Sequence, residues 1–257
     1  MTPLKIDAGT LSTDKMPLVY DGYKTEERNV ISRSRNAALI AVSLAAAVIF
    51  LSGGPGFSWI TFAAKLVPVT ALLIWLAPPK GRYVVLIYAG LLLSLVGDAF
   101  LALPGDWMLP GLIAFLFAHL CYIAAFVGGR KTLEIGRLLP YFVWVGGVYL
   151  FLFPNLGAMA APVGIYCLVI SAMMWRAAAL VTRPAQQWQL AAVAGATLFG
   201  LSDTALAVMR FHGAFPYGGA FLILAYWAGQ TGIAIAAGTA PAAIVVSQGL
   251  AKTLPPA

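Results

Sequence analysis

Blocks of about twenty consecutive apolar residues organise this chain, and blocks of that length leave few folds open to it. A helix rises about 1.5 Å per residue, so roughly 17 to 25 apolar residues cross the hydrocarbon core of a bilayer. Residues 83–103 and 160–181 are two such blocks, set apart from their neighbours by short Pro, Gly and Arg/Lys punctuation. Neither alternates polar with apolar side chains, as the strands of a membrane β-barrel must. Composition agrees, since 61% of the 257 residues are hydrophobic and only 10% are charged, against about 25% charged in soluble domains. The sequence therefore predicts an all-α, polytopic membrane protein.

Eight transmembrane helices are expected, at residues 37–52, 58–76, 83–103, 109–127, 138–153, 160–181, 187–209 and 217–237. The first and fifth are short for a crossing and need a flank or a locally thin bilayer. Residues 1–36 hold six of the sixteen Lys/Arg and five of the nine Asp/Glu, with no apolar periodicity. They read as a flexible N-terminal tail, the helices as a transmembrane domain over 37–237, and residues 238–257 as a C-terminal tail. Such a long charged lead-in argues against a cleaved signal peptide.

The cations test the helix count, because cytoplasmic connections carry the Lys/Arg excess. Beyond the first tail, Lys80 and Arg82 follow helix two, while Arg130, Lys131 and Arg137 follow helix four. Arg176 and Arg183 close helix six, and Lys252 follows helix eight, which puts fourteen of sixteen cations on one side. The opposite connections hold only Arg210, and Lys65 lies inside helix two. Eight crossings with both termini cytoplasmic fit this bias, and the abundant Ala and Gly with short connections suggest a bacterial inner membrane. The net charge of +7 comes from cations spread singly along the chain. No basic patch interleaved with aromatic residues marks a nucleic-acid surface. Cys121 and Cys167 fall inside apolar blocks and read as small apolar side chains.

Helices three and seven share a pattern: Gly97-Asp98-Ala-Phe-Leu101-Ala102 is matched by Ser202-Asp203-Thr-Ala-Leu206-Ala207. The chain could thus be a duplicated four-helix unit whose copies run parallel, as in some transporter folds. Both aspartates lie five or six residues from the outer ends of their helices, roughly 8 Å deep. An aspartate at membrane depth costs about 2.5–3.5 kcal/mol and normally faces a bundle interior or wet cavity on a functional path. Lys65 sits at similar depth and can neutralise only one of the two. Two carboxylates and one ammonium in low dielectric leave a charge uncompensated unless one carboxyl keeps its proton, which divides acid from base.

Other polar residues share these faces. Gly111, Phe115, His119, Tyr122 and Phe126 form one stripe on helix four, Tyr226 and Gln230 lie one turn apart on helix eight, and Ser202 adjoins Asp203. His119 can be a core hydrogen-bonding group or a catalyst, and the tyrosines and Gln230 can line a pocket or join helices. The chain carries no Gly-x-Ser-x-Gly elbow, no His-Glu-x-x-His and no phosphate-cradling Gly-rich loop, and two histidines are too few for a zinc site. Any chemistry should run on carboxylates.

The runs Ser94-Leu-Val-Gly97-Asp98-Ala-Phe-Leu101, Gly111-Leu-Ile-Ala-Phe115-Leu-Phe-Ala-His119-Leu-Cys-Tyr122, Gly195-Ala-Thr-Leu-Phe199-Gly-Leu-Ser202-Asp203 and Tyr226-Trp-Ala-Gly-Gln230 resemble the YhhN-like family of integral-membrane lysoplasmalogenases. The resemblance covers about residues 58–237, and departs from the family's usual pattern where Lys65 is followed by Leu-Val before Pro68. It implies hydrolysis of the vinyl ether bond of lysoplasmalogens, giving a fatty aldehyde and glycerophosphocholine or glycerophosphoethanolamine. The lysophospholipid substrate and membrane lipid would be the partners, with no protein partner implied. Such a reaction begins with a proton delivered to carbon and needs one acid, one anion and no metal or cofactor. Asp98 and Asp203 would share those roles. Lys65 would set the charge state and meet the substrate phosphate, while His119, Tyr122, Ser202, Tyr226 and Gln230 would line the pocket. A proton-coupled transporter using the same Asp pair is the alternative, although no broken helices recur at matching positions of both halves beyond the prolines Pro68 and Pro162.

Overall fold

A computed structural model describes residues 16–54, 56–242 and 244 of the chain. Among them are eight α-helices: α1 (Met16–Ser52), α2 (Trp59–Leu76), α3 (Arg82–Ala102), α4 (Met108–Gly129), α5 (Leu139–Leu156), α6 (Ala160–Ala179), α7 (Gln187–Phe211) and α8 (Gly218–Thr239). Short 3-10 turns precede α5 and α6, and no strand occurs among the described residues. Seven stretches are long and apolar enough to cross a membrane, and one of them, Ile135–Ala179, is 45 residues long and contains both α5 and α6. The all-helical, polytopic architecture read from apolar block length is the one that forms.

The chain divides into two compact units, Met1–Val42 and Ser43–Ala257. The described part of the first is the N-terminal portion of α1, and the second holds the remainder of α1 and all of α2 to α8. Hydropathy placed the start of the first helix near residue 37, whereas α1 begins at Met16. Residues 23–36 are rich in Lys, Glu and Arg and lack Pro and Gly, so helix propensity carries the helix back through a polar stretch. The remainder of the expected N-terminal tail, and most of the C-terminal one, lie outside the described residues.

Local signals explain most of the other ends. Ser58 caps α2 by accepting from the Ile60 N–H at 3.2 Å, and Gln186 and Gln189 form a reciprocal capping box on α7. Pro162 stands in the first turn of α6, where an absent N–H loses nothing, so it does not interrupt that helix as expected from sequence. Pro68 does lie inside α2, and the helix continues through it.

Two helix pairs use glycine in different ways. Along α3 and α4, Gly90 receives the ring of Tyr122, and a Cβ on Gly97 would stand 2.6 Å from the Phe115 ring. Between α7 and α8 the backbones themselves meet: a Cβ on Gly195 would be 2.6 Å from the Ile233 nitrogen, and one on Gly229 would be 2.8 Å from the Phe199 nitrogen. In lipid, where apolar side chains gain little by leaving their surroundings, such close backbone approach is a main source of helix association. Tyr122, Phe126, Phe199, Met173 and Ile233 fill the interior, while Phe117, Leu168 and Leu224 are exposed, as side chains facing acyl chains should be.

The two ends of the bundle are built differently. At one end Arg210, closing α7, pairs at 3.0 Å with Asp106 of the α3–α4 connection. Both residues are largely exposed, so the pair contributes little stability and chiefly shows that these connections lie together. At the other end three arginines bind backbone carbonyls. Arg130 donates to Ala179 and Val181 at 2.8 and 3.0 Å, Arg137 to Ala178 and Val181 at 2.6 and 2.9 Å, and Arg176 to Thr132 and Arg130 at 3.0 and 2.5 Å. Glu134, in the left-handed region with φ 49°, receives Arg130 at 2.7 Å and Arg137 at 3.7 Å. The cations that read as topology signals thus also satisfy the carbonyls left open at the end of α6.

Since backbone atoms cannot rotate aside, Gly195→Val is expected to destabilise the protein by about 1–3 kcal/mol or more. Gly147, whose Cβ would meet nothing within 4 Å, should accept Ala with no loss. Thermal unfolding of the two variants in detergent checks the contrast.

Candidate active site

Asp98 sits in the last turns of α3 and is only 2% exposed. A carboxylate so buried needs partners, and neighbouring helices supply them. From α2, the Lys65 Nζ approaches Oδ1 at 3.4 Å and donates to the Asp98 main-chain carbonyl at 3.3 Å. From α8, the Tyr226 hydroxyl donates to Oδ2 at 2.5 Å. Tyr226 in turn accepts from Gln230 Nε2 at 3.3 Å, Gln230 Oε1 accepts from the Tyr122 hydroxyl at 2.8 Å, and Ser94 Oγ lies 3.3 Å from Tyr122. A buried polar chain therefore runs from Asp98 through α8 to α4 and back to α3, with each hydroxyl and amide in it partnered.

Asp203 has a different surrounding. The Tyr166 hydroxyl of α6 donates to its Oδ2 at 2.5 Å. His119 Nε2 of α4 stands 4.0 Å from the same oxygen, beyond hydrogen-bonding reach. The imidazole is fully buried, its ring 4.8 Å from that of Phe199 and 5.3 Å from that of Tyr166. Neither of its nitrogens has a hydrogen-bond partner among the described residues. No Lys or Arg pairs with Asp203 among the described residues, whereas Asp98 has Lys65.

Both acids open on one cavity of about 490 Å³, whose polar wall is Ser58, Thr61, Lys65, Asp98, Ser202, Asp203 and Tyr226. Its apolar wall includes Phe50, Phe62, Phe115 and Ile223. Gly56, Ser58, Ala102 and Gly219 border it at the end of the bundle that carries the Asp106–Arg210 pair. The expectation that the carboxyls of helices three and seven share one chamber is met.

Five of the eight residues singled out from sequence line that cavity. His119, Tyr122 and Gln230 do not; they stand behind it, His119 against Asp203 and the other two in the chain that holds Tyr226. Periodicity gave their helix face and not their depth, so a lining role was read for residues of the layer beneath. Tyr166 was missed, because one tyrosine in an apolar helix carries no local signal. The repeat could have found it: Lys65 of α2 serves Asp98 of α3, and the residue in the matching place is one of α6 serving Asp203 of α7.

Fold and site together define a class, a multi-helix membrane protein with two intramembrane carboxyls facing a common polar chamber. Over residues 59–237 the chain matches the YhhN family, and it belongs to that family. It is 31% identical over 220 residues to lysoplasmalogenase TMEM86A of Bos taurus, spanning 80% of this chain and 91% of that protein. It is 34% identical over 187 residues to lysoplasmalogenase TMEM86B of Homo sapiens, 72% of this chain and 78% of the other. A Mycobacterium tuberculosis lysoplasmalogenase is 33% identical over 144 residues, 52% of this chain and 53% of the relative. No solved structure matches the chain.

Removing one member of the buried pair should cost more than removing both. Lys65→Met is expected to destabilise the protein by about 3–5 kcal/mol, and adding Asp98→Asn should restore part of that loss. Unfolding midpoints of the two variants in detergent check the order.

Proposed function

We propose that this protein hydrolyses the vinyl ether bond of lysoplasmalogens, releasing a fatty aldehyde and glycerophosphocholine or glycerophosphoethanolamine, with Asp98 and Asp203 as its acid and base. The observation that carries the reading is the asymmetry of the shared cavity: two carboxyls face it, and among the described residues only Asp98 has a Lys or Arg beside it. The activity named in the relatives supports the same reading.

The reaction starts with Asp98, whose Oδ1 lies 3.4 Å from the Lys65 Nζ, as the carboxylate and with Asp203 as the carboxylic acid. Asp203 delivers that proton to the β carbon of the vinyl ether, which leaves an oxocarbenium ion at the α carbon. The Asp98 carboxylate stabilises the cation and takes a proton from water as the water oxygen bonds to the α carbon, giving a hemiacetal. The hemiacetal then breaks at its bond to the glycerol oxygen, which receives the proton from Asp98 while the hydroxyl proton returns to Asp203. The aldehyde leaves and both carboxyls regain their starting states. Glycosidases meet a related oxocarbenium ion with two carboxyls. Tyr226 and Tyr166 fix the orientation of the acids, Ser202 faces the substrate, and Lys65 lies where a head-group phosphate can reach it. In this reading each of α1 to α8 crosses the membrane and both termini are cytoplasmic, in keeping with the distribution of cations.

The purified protein in detergent should release aldehyde from plasmenyl lysolipids and none from matched acyl lysolipids. Asp98→Asn and Asp203→Asn should each lower kcat by about 10²–10⁴-fold with the fold retained. Full activity in both variants would reject the mechanism. Because detergent offers no second compartment, turnover there also separates a hydrolase from a proton-coupled carrier.

A further inference from the structure

Asp203 faces two spaces. One is the polar cavity, and the other is a narrow apolar cleft of about 50 Å³ enclosed by α4, α5, α6 and α7, with Val145, Val148, Val163, Ile170 and Ala207 in its wall. Leu101, Phe115, Asp203 and Leu206 border both. Leu112 and Tyr166 join the cleft to a third space, a groove of about 340 Å³ between α4 and α6. The groove is lined by Leu109, Ile113 and Ile165, which are 42%, 45% and 56% exposed. In a protein of this hydropathy, apolar side chains exposed to that degree face acyl chains. The three spaces therefore adjoin in the order groove, cleft and chamber, with Tyr166 at the first shared wall and Asp203 at the second.

We propose that the hydrocarbon chain of the substrate enters from the bilayer and lies along the α4–α6 groove, with only its first carbons in the narrow cleft behind Asp203. The proposal rests on the lysolipid reading above and adds to it where each part of the substrate lies. Polarity assigns the parts. The groove and cleft hold no charged wall apart from Asp203, the groove having room for a length of unbranched chain and the cleft for a few carbons, whereas the chamber offers Lys65 and Ser202 to a glycerophospho group. A vinyl ether joins chain to head, so a lipid held this way brings the reacting double bond to the carboxyl where the two spaces meet. Specificity for chain length then resides in α4 and α6.

Two measurements test this. The first compares a sixteen-carbon plasmenyl lysolipid with a four-carbon analogue. Ile165→Trp, which narrows the groove, should lower kcat/KM for the long substrate at least tenfold and leave the short one within threefold; Ile113→Trp, from the opposite wall, serves if the first variant fails to fold. Equal losses on both substrates, or none on the long one, would overturn the chain seat. The second measurement uses an alkyl ether lysolipid with a diazirine at its chain end, which binds without turnover. Its crosslinks should fall on α4 and α6, and crosslinks on α1, α2 or α8 would place the chain in the larger cavity and sink the proposal. Wild-type protein that makes no aldehyde from either substrate would defeat the hydrolase reading, while the crosslinks would still locate a bound chain.

Discussion

A carboxyl group inside a bilayer must find donors or charges within its own protein, and the rest of this architecture follows from meeting that need twice. Asp98 on α3 is served by Lys65 from α2 and Tyr226 from α8. Asp203 on α7 is served by Tyr166 from α6 and approached by His119 from α4. Exchanging the first four helices for the last four turns one list into the other. The same scaffold is filled with different side chains, as the matching Asp motifs of α3 and α7 suggest for a duplicated unit. Departure from symmetry matters most at the α2 and α6 positions, where one half has an ammonium and the other a phenol. A symmetric pair of lysines would ionise both acids, and a symmetric pair of tyrosines would leave both without a counter-charge.

Holding these groups in register requires helices that do not slide. Between α7 and α8 the seam is backbone against backbone, and between α3 and α4 aromatic rings sit in notches left by glycine. Both acid-bearing helices are therefore each clamped to a neighbour that also carries a site residue, Tyr226 on α8 and His119 on α4. The buried chain from Asp98 to Ser94 stitches across the same helices. Because its members are partnered, it orients Tyr226 without leaving a hydroxyl or amide stranded in low dielectric.

Much of this was legible in the sequence because the bilayer imposes simple rules. Apolar block length located α2 to α8 to within a few residues, and the rarity of acids at membrane depth marked Asp98 and Asp203. Hydropathy failed at α1, since it says nothing about a polar segment that is helical through propensity alone. Periodicity failed on depth: His119 and Tyr122 share a face of α4, but one lies against Asp203 and the other against Gln230. Tyr166 gave no local signal, and only its place in the repeat, matching Lys65, pointed to it before folding brings it to 2.5 Å from Asp203. The shape of the chamber and the wall it shares with the cleft depend on side chains from many helices at once, which no single stretch encodes.

The arginine-bound carbonyls at one end of the bundle have a mechanical consequence. Arg130 at the end of α4 grips the carbonyls closing α6, and Arg176 near the end of α6 grips those just past α4. The groove between these two helices lies at their other ends, where Leu109 and Pro162 face each other across it. Fastened at one tip and parted at the other, α4 and α6 form a pair of tongs whose pivot is distant from the carboxyls. A swing about that pivot widens the jaws where a lipid tail would slip through, and because Tyr166 lines them it also shifts the hydroxyl that holds Asp203.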